Sequence, residues 1–352
     1  MPDHPSITIA GRAIGRGHPP YVIAELSANH NGNIDAALAI IDHAAAAGAS
    51  AAKLQTYRAD TITLDSARPE FQITSGKWAG QSLYALYQSA FTPWEWHKTL
   101  FAHAAARGIT MFSSPFDATA IDLLEDLNAP AYKIASFEAV DLPLIKLAAS
   151  TGKPLIISTG MADQDEILEA IQAARDGGCT ELAILHCVSG YPAPPGDYNL
   201  ALIPDMIARH GLVTGLSDHT LDNTTAIAAV AMGASIIEKH VTLDRTGGGP
   251  DDSFSLEPPE LAHLCQSART AWDAVGTVDY GRKSSERGNA VFRRSLYFVR
   301  DLAAGQVIVA ADVRSIRPGF GAAPKYLEAI IGRPVLVDIA AQTPVSLDQI
   351  AL

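Results

Sequence analysis

The feature that most restricts what this chain can fold into is a rhythm. Short runs rich in β-branched and other apolar residues fall at 21–28, 50–57, 109–113, 131–135, 154–158, 182–187, 212–216 and 235–240, and each is followed by an Ala/Leu/Ile-rich stretch with helical spacing. Strands separated by helices lie parallel, because the chain must cross back before the next strand begins. Eight such units match a closed (β/α)8 barrel, the TIM barrel of the α/β class, with an open doubly wound sheet as the alternative. Residues 6–14 read as a small hairpin closing the bottom of the barrel.

The composition suits such a core. Of 352 residues, 48% are hydrophobic and 18% charged, which excludes a disordered chain. With 26 Lys+Arg against 38 Asp+Glu the net charge is −12, and no basic run interrupts it, so neither nucleic acid nor a membrane is an expected partner. Three cysteines without a CxxC pair suit a reducing compartment. The start, Met-Pro-Asp-His-Pro, lacks the basic and apolar regions of an export signal, and the longest charge-free apolar stretch, 226–237, is too short to span a bilayer. The expectation is a cytoplasmic protein.

A polar, Gly-punctuated stretch at 276–292 reads as a linker. It separates a catalytic barrel over 1–275, hairpin included, from a small β-rich domain over 293–352. A core that small is marginal alone, so docking onto the barrel or a second subunit is expected. The long connection at 58–92 carries Trp78, Tyr84, Tyr87 and Phe91, and reads as an ordered lid or an oligomer contact.

In a parallel barrel the C-terminal strand ends share one mouth, and here every strand ends in polar residues. Alternation puts Lys53 and Gln55 on one face of their strand, and Glu238 and His240 on one face of theirs. Buried lysines need anions, so Lys53 and Lys133 require either carboxylates such as Glu25 and Glu238 or an anionic ligand. Beside them Ser136, Ser158 and Ser217 supply hydroxyl donors suited to phosphate or carboxylate. His219 and His240 end neighbouring strands and are either a divalent metal pair with open positions or two hydrogen-bonded core imidazoles. Thr246 to Asp252 is glycine-rich but lacks a Walker lysine, so it reads as a mobile lid carrying Asp251 into the mouth. His30, His97 and His186 read as satisfied core residues.

The segments Glu25 to Gly32 (ELSANHNG), Lys53 to Tyr57 (KLQTY), Ser113 to Phe116 (SSPF), Lys133 to Glu138 (KIASFE), Gly215 to Thr220 (GLSDHT), Glu238 to His240 (EKH) and Arg317 to Gly321 (RPGFG) resemble the phosphoenolpyruvate-dependent nonulosonic (sialic) acid synthases, over nearly the whole chain. ELSANHNG, the stretch from Trp78 to His97 and Phe254-Ser255-Leu256 look like that family's pseudaminic acid branch. The resemblance implies a barrel followed by an antifreeze-like (SAF) domain, in a domain-swapped homodimer where Arg317 reaches the partner's site. It also implies phosphoenolpyruvate and an acylamino sugar aldehyde as substrates, with a divalent metal, Mn2+ before Mg2+ or Co2+, on His219 and His240. On that reading Lys53, Gln55, Ser114, Lys133, Ser136, Ser158 and Ser217 hold phosphoenolpyruvate. Ser189, Tyr191, Asp251 and Arg317 contact the sugar, Glu138 is the base for water, and Glu25 orients the reactants. An N-acetylneuraminate or legionaminate synthase, a Schiff-base aldolase using Lys53 or Lys133, and a non-catalytic sugar-binding protein are the alternatives.

Overall fold

The computed structural model describes residues 5–352, so the first four residues, on which the expectation about an export signal partly rests, lie outside the described residues. The chain forms two compact units, Met1–Gly276 and Thr277–Leu352. The first opens with an antiparallel hairpin of β1 (Ser6–Ile9) and β2 (Arg12–Gly15). Eight parallel strands then close into a barrel in sequence order: β3 (Tyr21–Glu25), β4 (Ala51–Thr56), β5 (Thr110–Pro115), β6 (Tyr132–Ile134), β7 (Leu155–Ser158), β8 (Leu182–Cys187), β9 (Val213–Asp218) and β10 (Ile236–His240). They fall on the eight predicted runs. Because β10 pairs with β3, the sheet has no edge, and the open doubly wound alternative is ruled out.

Strand alternation sorts the side chains into three environments. Outward residues such as Val22, Ala24, Leu54 and Ile237 pack under the surrounding helices. Inward residues low in the barrel, among them Tyr21, Ile23, Phe112, Ile156 and Ile236, form an apolar plug with Ile7, Ile9 and Ile14 of the hairpin. The inward residues at the C-terminal ends are polar: Glu25, Lys53, Ser114, Lys133, Ser158, Ser217, Glu238 and His240 are all buried. At Gly215, on β9, a Cβ would lie 2.7 Å from Leu185 Cδ2, so glycine is what lets the plug close there.

Helices flank the strands, and their starts are written locally. Asp117 and Asp163 cap Ala118–Asp126 and Gln164–Asp176, each accepting from the first free backbone amides. Among the described residues, no helix is long and apolar enough to cross a membrane.

In the second unit, β11 (Ser295–Phe298) and β12 (Val313–Ile316) pair antiparallel over a core that includes Leu296, Phe298, Ile308, Ile330, Val335 and Val345. The stretch predicted as a linker is more structured than its polarity suggests. Residues Ser284–Phe292 form a 3-10 helix, Lys283 N–H donates to Glu286 at its start, and Gly319 N–H donates to Val291 O, tying the segment to the small domain.

The hairpin plug makes a measurable claim. Ile9 is fully buried, so Ile9→Ala is expected to destabilise the barrel by about 2–5 kcal/mol, read as a lower urea midpoint by far-UV circular dichroism.

Candidate active site

The barrel mouth is a cavity of about 500 Å³ over the polar ends of the strands. Its floor is a chain of four buried charges. Lys53 pairs with Glu25, its register partner on β3, and stands 3.9 Å from Glu238; Lys133 reaches Glu238 at 3.1 Å. Ser114 accepts from Lys53 at 3.2 Å, and Ser217 Oγ donates to Glu238 at 3.3 Å. Burial alone lowers the Lys53 ammonium, but the Glu238 and Glu25 carboxylates outweigh it and raise it above the usual lysine range. Burial likewise raises Glu238, yet the Lys133 and Lys53 charges win and hold its carboxyl below the usual range, while at Glu25 burial wins and pushes the group up. Both lysines therefore have carboxylate partners in the protein itself.

The imidazole pair sits at the rim. His219 and His240 meet edge to face with ring centroids 5.4 Å apart. The His219 backbone N–H donates to Tyr198 OH at 2.6 Å, and Nδ1–H donates to Val188 O at 2.8 Å, which leaves Nε2 as the lone-pair nitrogen. Burial lowers His219, but Cys187 and the Val188 carbonyl raise it above the usual value; burial holds His240 well below it. His240 Nδ1 is buried with no hydrogen-bond partner and stands 3.9 Å from Asp251 Oδ2. Two imidazoles with free nitrogens fit a divalent ion that keeps open positions for substrate oxygens. Among the described residues, no three His, Cys, Asp or Glu side chains gather as a closed metal site.

Asp251 is delivered by the glycine-rich loop after β10. Asp252 accepts from Gly249 N–H at 2.7 Å, from Asn31 at 3.0 Å and from Thr242 at 2.6 Å, which fixes the turn, and a Cβ at Gly247 or Gly249 would collide with Asp252 at 2.8 Å. Ser27, in the left-handed region at φ 45°, donates its hydroxyl to Asp251 at 2.5 Å and its N–H to Glu25 at 3.0 Å, joining loop to floor. Glu138 stands in the short 3-10 helix Ser136–Glu138 after β6; burial pushes it up to about 7 despite the pull of Lys133. Its Oε2 is one of several buried atoms here without a hydrogen-bond partner, with Ser158 Oγ and Ser189 Oγ.

Glu25, Lys53, Gln55, Lys133, Ser136, Glu138, Ser189, Tyr191, Ser217, His219, Glu238, His240 and Asp251 all line the cavity. Ser114 and Ser158 do not line it: both are fully buried. Arg317 belongs to the second unit, exposed and followed by a cis peptide to Pro318. His30, His97 and His186 are satisfied core residues, bonded to Thr92, Thr56 and the Tyr198 carbonyl. The 58–92 connection, read as an ordered lid or an oligomer contact, contributes Trp78 and Tyr87 to the cavity wall, while Tyr84 and Phe91 do not line it. Tyr57, Ser27, Ile73 and Leu86 were missed by sequence reasoning. Tyr57 carried a signal, standing two residues beyond Gln55 on the same strand face; the others depend on contacts between distant segments.

A parallel barrel with a polar, concave mouth at the C-terminal ends of its strands is the layout of a barrel enzyme, with the active site in that mouth. Residues 40–280 match the NeuB family, and residues 293–351 match the SAF domain. The chain is 40% identical over 319 residues to a pseudaminic acid synthase of Campylobacter jejuni, covering 91% of this chain and 93% of that one. It is 34% identical over 316 residues to an N,N'-diacetyllegionaminic acid synthase of the same species, covering 89% and 94%. A crystal structure of N-acetylneuraminic acid synthetase from Leptospira borgpetersenii, in complex with citrate, is similar at a TM-score of 0.73 and 31% identity, covering 81% of this chain and 95% of that one. The chain belongs to the NeuB family, and with it to the phosphoenolpyruvate-condensing transferases that make nonulosonic acids.

One glycine tests the packing of this mouth. A Cβ at Gly160 would strike Ser189 Oγ and come within 2.9 Å of Ser136 Oγ. Gly160→Ala is therefore expected to cost about 1–3 kcal/mol of stability, measured by urea unfolding, and to lower turnover because both displaced serines border the cavity.

Proposed function

We propose that this enzyme condenses phosphoenolpyruvate with 2,4-diacetamido-2,4,6-trideoxy-L-altrose to give pseudaminic acid and phosphate. The observation that carries the reading is the convergence of Lys53, Lys133, Ser136, Ser217 and the His219–His240 pair on one cavity. Likeness to the Campylobacter pseudaminic acid synthase supports the choice of sugar. A legionaminate precursor is the second reading, favoured by the 34% identity to the legionaminic acid synthase.

In this mechanism Lys53, Lys133, Ser136 and Ser217 bind the phosphate and carboxylate of phosphoenolpyruvate, with the buried Ser114 and Ser158 supporting them. Gln55 and Glu25 orient the enol. Asp251, Ser189 and Tyr191 hold the sugar. His219 and His240 would hold a divalent ion, Mn2+ in the first instance, which when bound would supply Lewis-acid polarisation of the aldehyde. Carbon 3 of the enol attacks the aldehyde carbon, forming the C–C bond while the aldehyde oxygen takes a proton from solvent and positive charge develops at carbon 2. Glu138 takes a proton from the water that adds at carbon 2; the hydroxyl so formed gives its proton to the departing phosphate as the C–O bond to phosphate breaks, and a ketone forms at carbon 2. A Schiff base at Lys53 is disfavoured, because its carboxylate partners keep the amine protonated. The proposal includes a cytoplasmic, domain-swapped homodimer in which Arg317 reaches the sugar of the partner's site.

The direct test is phosphate release from phosphoenolpyruvate with Mn2+ and each candidate sugar, with product mass and a chelator control. Release with the altrose sugar that stops on chelation is expected; release with N-acetylmannosamine alone overturns the choice of sugar. His219→Ala and His240→Ala are each expected to abolish metal-dependent turnover, and full activity of either variant without metal removes the metal role.

The pH profile tests Glu138. As a base it works deprotonated, so kcat/KM should fall as pH drops through about 7. Glu138→Gln should lose that limb and about 10²–10⁴ in rate, with phosphoenolpyruvate still bound.

A further inference from the structure

The cavity is two-sided, and only one side is used by the chemistry above. Opposite the charged floor stands a wall from the 58–92 connection. Its centre is the helix Leu83–Ala90, started by Ser82, whose hydroxyl accepts from Ala85 N–H at 3.1 Å. Leu83, Leu86, Tyr87 and Ala90 follow an i, i+3, i+4, i+7 pattern, the apolar stripe by which a helix normally joins a core. Here all four line the cavity, with Ile62 and Ile73 beside them, and neither these two nor the stripe's Leu83, Leu86 and Ala90 belong to any core cluster of the barrel.

Phosphoenolpyruvate is small and triply charged in large part, and offers such a surface nothing. The wall has few hydrogen-bonding groups: the Trp78 indole N–H is already given to Pro250 O at 3.2 Å, which leaves the Tyr87 hydroxyl, while Ile62, Ile73, Leu83, Leu86 and Ala90 offer no polar side-chain atom. A sugar hydroxyl pressed against Leu86 or Ile73 would lose its water and find no partner, whereas a methyl group would be buried favourably.

We infer that this wall is the specificity element for the methyl groups of the second substrate, selecting a 6-deoxy, N-acylated sugar over its 6-hydroxy counterpart. The inference rests on the function proposed above and names residues that act in it by binding alone. Apolar pockets discriminate modestly against an added hydroxyl, which sets the size of the effect at about 10–100-fold in kcat/KM.

The experiment compares 2,4-diacetamido-2,4,6-trideoxy-L-altrose with the same sugar keeping its 6-hydroxyl, in the full-length enzyme with phosphoenolpyruvate and Mn2+. The 6-deoxy sugar should be preferred by about 10–100-fold. Leu86 is buried and its loss risks the fold, so the variants are Ile73→Gln and Leu83→Gln, both half-buried. Each should bring the ratio toward parity, with the phosphoenolpyruvate KM and the melting temperature unchanged. Equal kcat/KM for the two sugars in the unaltered enzyme, or a ratio that neither variant moves, overturns the inference while leaving the reaction in place. Turnover of only the stereoisomeric legionaminate precursor, itself 6-deoxy, with the same preference over its 6-hydroxy form, keeps the wall's role and overturns the altrose assignment. Turnover of no sugar overturns both.

Discussion

Burying four charges at one end of a barrel is the constraint around which this structure is arranged. An unpaired lysine or glutamate so deep would carry a desolvation penalty of several kcal/mol, and no single ion pair in this floor fully offsets two such penalties. The solution is alternation along a line: Glu25, Lys53, Glu238 and Lys133 each touch a group of opposite sign, and Ser114 and Ser217 fill remaining hydrogen-bonding positions. That line requires strands β3, β4, β6 and β10 to end at matched heights. Register supplies this, pairing Glu25 with Lys53 on one side and with His240 on the other. The closed barrel is thus a condition of the floor, because in an open sheet β10 and β3 would be edges and the line would be cut.

Above the floor the loops divide the work. The turn after β3 and the glycine-rich loop after β10 are joined through Ser27, Asp251, Asn31 and Asp252. The 58–92 connection meets that same loop through the Trp78 indole on Pro250 O and Lys77 on Ser253 Oγ at 2.9 Å. Rigid strands hold the charges, and two mutually bonded loops enclose the space over them. On the proposed reading, ionic chemistry is kept at the strand ends, where geometry is most exact, and shape selection is left to the loop segments above them.

Much of this was legible in the sequence, and the reason is periodicity. The eight strands were visible because a buried parallel strand is a short apolar run. The inward partnership of Lys53 with Gln55, and of Glu238 with His240, follows from a period of two, and the cavity contains all four. What was not legible depends on contacts that no local pattern encodes. Ser114 and Ser158 sit at strand ends like the other serines, yet neighbouring side chains bury them fully and they do not line the cavity. The segment 276–292 is polar enough to read as a linker, but a hydrogen bond from Gly319, far along the chain, makes part of it structure. The stripe of Leu83, Leu86, Tyr87 and Ala90 is readable as a helix face, while its use as a cavity wall depends on where the connection folds back.

The tripeptide Glu238-Lys239-His240 shows how closely the two kinds of information combine. Alternation sends Glu238 and His240 into the mouth and Lys239 to the opposite face of β10. There the Lys239 ammonium is buried and donates to Asp218 Oδ2 at 2.9 Å, Thr220 O at 2.7 Å and Asp222 O at 2.6 Å. Asp218 in turn accepts from Thr220 N–H at 2.9 Å. These bonds clamp the backbone on both sides of His219, whose own N–H and Nδ1–H are fixed by Tyr198 and Val188. A buried charge costs about several kcal/mol unless it is satisfied, and here that requirement enforces one conformation of the turn after β9. The spacing between the His219 and His240 rings follows from it: one imidazole is carried by a strand, the other by a turn that the strand's intervening lysine holds still.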